Sequence, residues 1–124
     1  MGNALTKEDR ALLERAREMF DETGYVPGFD GEEVPAETMV PTAKDYILET
    51  INDPEAFYDR EIWDTPGFTL VLSWLAQKWL HKCRSLAPRG NDPARYLTKE
   101  QRKACLDSAA AELVREIRQQ RSLN

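Results

Sequence analysis

Few residues in this chain have the type and spacing that chemistry needs. The single histidine, His81, has Ser85 one helical turn on and no acid or cysteine placed to complete a metal site or a nucleophile pair. A surface or capping role is expected of it. Cys83 and Cys105 lack CxxC spacing and fall in separate expected helices, which points to two buried reduced thiols, with an interhelical disulfide as the alternative. Asp30-Gly31-Glu32-Glu33 lacks the alternating oxygen ligands of a calcium loop, and no glycine-rich loop follows a strand. Carboxylates are abundant, but in so acidic a stretch close pairs arise from composition alone. No catalytic residue, cofactor or metal is expected, and the chain reads as a non-enzyme.

Charge is the least ordinary property of the sequence. The net charge is −5, yet residues 21–64 hold thirteen acids against two bases, a balance of −11, whereas residues 65–124 hold eleven bases against five acids, a balance of +6. Such segregation steers association with an oppositely charged surface. Asp30, Glu32, Glu33, Glu37, Asp45, Glu49, Asp59 and Glu61 are therefore the candidate partner-binding residues, facing a protein partner with a basic surface. Trp74 or Trp63 would serve as an aromatic anchor. A solvated face that keeps the protein soluble is the plainer account of the same acids.

Direct nucleic-acid binding is not expected. Lys99, Arg102 and Lys103 open the last helix, and Arg115, Arg118 and Arg121 spiral around its end, where they suit the negative pole of the helix dipole. A basic stripe interleaved with stacking aromatics is missing, Tyr96 alone being thin support. At the amino terminus, Met1-Gly2-Asn3-Ala4-Leu5-Thr6 matches the N-myristoylation pattern, so membrane association is expected only if Gly2 is acylated. One acyl chain would hold a membrane only marginally.

These residues must be positioned by helices. Pro66 to Ala87 reads as the central one: Phe68, Val71, Leu72, Leu75, Ala76, Trp79, Cys83 and Leu86 share a broad arc at helical spacing. Leu70 and Trp74 lie off that arc and need cover from other helices or from a partner. Thr6 with Asp9 forms a capping signal for a first helix, with a stripe of Leu12, Ala16, Met19 and Phe20, ending before Gly24. The same signal recurs at Leu97-Thr98-Lys99-Glu100-Gln101, ahead of a last helix running to about Gln119 with Leu106, Ala109, Ala110, Leu113, Val114 and Ile117 as its packing stripe.

Asp53-Pro54, Thr65-Pro66 and Asp92-Pro93 each place a capping side chain ahead of a first-position proline. They divide the rest into helices at Ala43–Asn52 and Pro54–Trp63, the central helix, and a brief turn at Pro93–Tyr96. Residues 23–41, with three prolines and three glycines, read as a long acidic loop that Tyr25, Val26, Phe29, Val34 and Met39 can pin across the core.

No stretch alternates as a strand would. The expectation is an all-α single domain over residues 1–124, a bundle of about five helices around the central hydrophobic one. The greasiest run, Phe68 to Ala76, is only about half a membrane span in length, and no secretory signal precedes it, which suggests a soluble cytoplasmic protein. In function it reads as a small interaction module, a regulator or inhibitor, including the nucleic-acid-mimicking viral or phage kind. The alternatives are a structural or assembly subunit, and an N-myristoylated membrane-associated adaptor or viral structural protein.

Overall fold

A computed structural model describes residues 6–52, 65–87 and 97–123. The first helix, α1 (Lys7–Thr23), begins at Thr6, whose hydroxyl accepts the Asp9 amide while the Asp9 carboxylate accepts the Thr6 amide, both at 3.0 Å. That reciprocal pair satisfies two donors that a helix start leaves open. The helix stops at Gly24, held at φ 77°, where its amide reaches back to the Phe20 carbonyl at 2.7 Å. Glycine tolerates this left-handed geometry because it has no Cβ to clash.

The segment expected as a long loop is ordered into short elements. Strands β1 (Tyr25–Pro27) and β2 (Glu33–Pro35) pair antiparallel with Val26 opposite Val34, and a 3-10 turn (Ala36–Met39) leads directly into α2 (Val40–Asn52). Only the residues around Gly28–Glu32 remain a connection, closed by the Gly28 amide on the Glu32 carbonyl at 2.7 Å. Strands of three residues are too short to display alternation, so the sequence gives them no visible period. The α2 start at Val40 rather than Ala43 has a simple cause: Pro41 sits in the first turn, where its missing amide costs nothing. Val26 and Met39 are buried and pin the segment, whereas Tyr25 and Phe29 stay exposed.

The central helix is α3 (Pro66–Leu86), and the last is α4 (Lys99–Leu123). Proline stands at the first position of α3, but Thr65 ahead of it makes no side-chain capping bond; its carbonyl instead accepts both the amide and the hydroxyl of Thr69 at 3.0 Å. Helix α4 is capped as its sequence suggests, with Thr98 and Gln101 exchanging bonds of 2.9 and 3.1 Å.

Helix α3 packs against α1, α2, α4 and β1, and is the hub of the fold. Phe68, Val71 and Leu75 of α3, Ile47 of α2, and Leu106 and Ile117 of α4 are almost entirely closed to solvent. Leu70 and Trp74 find their cover within the chain: Leu70 is buried, and the Trp74 ring lies 4.9 Å from Phe20 of α1, with the Arg17 guanidinium 5.8 Å from it. Two residues depart from their expected stripes. Leu86 is 59% exposed because it lies in the last turn, past Cys83, the final buried position of α3; Leu12 is 39% exposed because α1 turns Asp9, Ala16 and Phe20 inward instead.

The protein is thus all-α apart from the small hairpin. The described residues carry four α-helices and that hairpin, not a five-helix bundle; the helix expected at Pro54–Trp63, the turn at Pro93–Tyr96 and the Asp53-Pro54 and Asp92-Pro93 boundaries lie outside them.

The hairpin is fixed to the hub at close quarters. A Cβ on Gly67, at the start of α3, would collide with the Pro27 carbonyl of β1, so glycine is what permits that approach. On the other side, the stem of Arg121 lies against Gly24 while its guanidinium pairs with Glu37.

Candidate protein-interaction surface

The expected acids separate into three sets. Asp30, Glu32 and Glu33 stand exposed at the tip and second strand of the hairpin, and Asp45 and Glu49 stand exposed on α2. Glu37 departs from the expectation. It is 8% exposed and held by Arg121, so its carboxylate serves inside the molecule and is not offered to a partner. Asp59 and Glu61 lie outside the described residues, as do Trp63 and Gly2.

Thr42 of α2 links the first two groups. At about 100° per residue, Thr42, Asp45 and Glu49 fall within about 60° of one another on α2. Thr42 also lines a groove of about 260 Å³ whose other walls carry Phe29, Asp30, Glu32, Val34 and Met39. Aromatic contacts tie the same surface together from beneath: Phe68 meets Phe29 at 5.2 Å and Tyr46 at 6.1 Å, between ring centres. Phe29 itself is 58% exposed, so one edge of the ring rests on Phe68 while the rest faces water. Among the described residues, none of Asp30, Glu32, Glu33, Asp45 and Glu49 is in an ion pair. Lys44, the nearest base in sequence, projects away from this stripe and meets Asp107 of α4 at 2.5 Å.

Charges along the α3–α4 seam are, by contrast, matched. Lys78 lies 3.2 Å from Glu112 and 2.6 Å from Glu116, and Lys82 lies 2.6 Å from Glu112. Hydrogen bonds from Lys82 and then Lys78 hold the Glu112 carboxyl down at about 2. Burial pulls Lys78 downward, but its bonds to Glu116 and Glu112 outweigh that and leave it raised. Arg121 is likewise raised by its bond to Glu37. Two bases of the carboxy-terminal half, Lys78 and Lys82, therefore neutralise Glu112 and Glu116 of the same half, and Arg121 is drawn from the helix end to an acid of the middle segment.

Trp74 occupies a different face from the acids. It is half-buried and lines a groove of about 390 Å³ with Lys78, His81 and Glu112, so as an anchor it would act apart from the hairpin tip. His81 is exposed on that rim. Cys83 and Cys105 are buried thiols, not joined in a disulfide, in one small cluster with Leu97, beside the indole of Trp79, which donates to the Arg102 carbonyl at 3.0 Å. Among the described residues, no group of three or more His, Cys, Asp or Glu is placed to hold a metal ion, and no helix is long and apolar enough to cross a membrane.

The sequence singled out the acids but missed Phe29 as part of their surface. Its signal was present: an aromatic residue next to glycine and aspartate at the centre of a turn has few ways to hide. Comparison with family models, curated proteins and solved structures finds no match.

Proposed function

We propose that this protein is a small, non-enzymatic interaction module that binds a basic protein surface through the acidic face formed by the hairpin tip and α2. Its role would be that of a regulator or inhibitor. The observation that carries this reading is that Asp30, Glu32, Glu33, Asp45 and Glu49 are exposed and in no ion pair among the described residues, with Asp30 and Glu32 lining one groove, whereas Glu112 and Glu116 of the α3–α4 seam are matched. An unmatched acidic face creates a field that attracts a basic partner and speeds encounter, an effect that salt screens.

The test is capture of a partner from native lysate at low and at high salt, followed by the same capture with Asp45→Asn/Glu49→Gln. Binding that weakens with salt and with the double substitution supports the reading. A partner held equally by both proteins at both salt concentrations would instead favour a structural subunit joined through apolar contacts.

A further inference from the structure

The groove beside Phe29 contains more than charge. Its lining joins Phe29, Val34 and Met39 to Asp30, Glu32, Thr38 and Thr42, and Asp45 and Glu49 follow Thr42 on the same side of α2. A surface that only imitated a phosphate backbone would need spaced acids and no apolar floor. Here a groove of about 260 Å³ combines the apolar Phe29, Val34 and Met39 with two carboxylates and two threonines, and the Phe29 ring remains 58% exposed. No base among the described residues competes for those carboxylates. The acids are also not arranged as ligands for a cation.

Building on the acidic-face reading above, we propose that the partner is a protein segment presenting an aliphatic side chain flanked by arginines. The aliphatic chain enters the slot against Phe29, Val34 and Met39. The guanidiniums, planar and able to bind carboxylates bidentately, pair with Asp30 and Glu32 of the lining and with Asp45, about one turn beyond Thr42 on α2. Apolar insertion supplies the central contact that excludes water, and the charged rim sets direction and encounter rate.

Two synthetic peptides test this. One carries a leucine between two pairs of arginines; the other carries arginine at all five positions. Each is titrated into the full-length isotope-labelled chain at low and moderate salt while backbone NMR shifts are followed. The leucine peptide is expected to bind about tenfold tighter or more, the scale of a hot-spot contact, with shifts centred on Phe29, Val34, Met39 and Thr42. Its advantage should persist at moderate salt and disappear in Phe29→Ala. Asp30→Asn/Glu32→Gln, which alters only exposed side chains, should weaken both peptides alike.

If both peptides bind equally and depend on salt equally, the slot has no role, and the proposal falls while the acidic-face reading stands. If the leucine peptide binds with its shifts elsewhere, the proposal falls as well. If neither peptide binds at low salt, the acidic-face reading falls with it.

Discussion

The α3–α4 seam and the hairpin-tip face are both rich in carboxylates and reach opposite outcomes. In the seam, Lys78 is shared between Glu112 and Glu116 and Lys82 pairs with Glu112, over an apolar layer that includes the buried Leu113. At the tip, Asp30 and Glu32 line a groove, and they, Glu33, and Asp45 and Glu49 on α2 are in no ion pair among the described residues. The seam spends its electrostatics on holding two helices in register. The tip leaves its electrostatics unspent, at some cost in self-repulsion that a partner can relieve.

Substitutions on the two sides should therefore diverge, and the largest effect belongs to the layer under the seam. Leu75 is completely buried in α3, so Leu75→Ala should lower unfolding free energy by about 2 to 5 kcal/mol in chemical denaturation. A change below about 0.5 kcal/mol, the size of a surface effect, would mean that α3 is not the hub.

Next comes the joint between the hub and the hairpin. Gly67→Ala should cost about 1 to 3 kcal/mol, because the new methyl meets the Pro27 carbonyl and something must shift. The same variant should disturb NMR signals of the hairpin before those of α4. Glu37→Gln should lower the denaturation midpoint by less than Leu75→Ala does, since it leaves Arg121 without its countercharge.

The seam predicts a smaller, pH-dependent effect. Glu112 titrates near 2 in the folded chain against an ordinary 4.5, so its contribution is complete above about pH 5 and is lost as pH falls from 4.5 toward 2. Lys78 has the opposite sign: raised from 10.5, it contributes below that value, and the contribution is lost as pH rises through its folded pKa. Both groups are partly open to water, so the amplitude is small. Glu112→Gln should flatten the acid limb of a stability-against-pH curve.

The smallest effect on stability belongs to the tip. Asp30→Asn/Glu32→Gln should alter unfolding free energy by no more than about 0.5 kcal/mol. A clear gain in stability would show how much repulsion the face stores. A clear loss would mean that these acids have structural work, and the contrast between the two regions would collapse.

Helix limits were legible because their causes are local. Thr6 with Asp9, Thr98 with Gln101, Gly24 and Pro66 each act within about one turn, and each marks an end that the structure keeps. The packing stripe of α4 was legible for a similar reason, since Leu106, Ala110, Leu113 and Ile117 repeat at the helix period. The hairpin was not, because three-residue strands carry no period and its order comes from Val26 and Gly67 meeting across the fold. Glu37 was misjudged for the same physical reason. Nothing near it in the chain distinguishes it from Glu32 or Glu33; its burial depends on Arg121, 84 residues away. Of the candidate surface, the acids could be named from composition, but the slot beside Phe29 required α2 and the hairpin to be placed together.

The Arg121 contact bears on how the molecule is made. A ribosome delivers the hairpin first, and the guanidinium that neutralises Glu37 and the stem that leans on Gly24 follow it, 84 residues after Glu37. A nascent chain stalled ahead of residue 121 would hold every acid of the tip without the fastening behind it, so the hairpin should settle only after α4 has followed it, although its own residues are translated earlier.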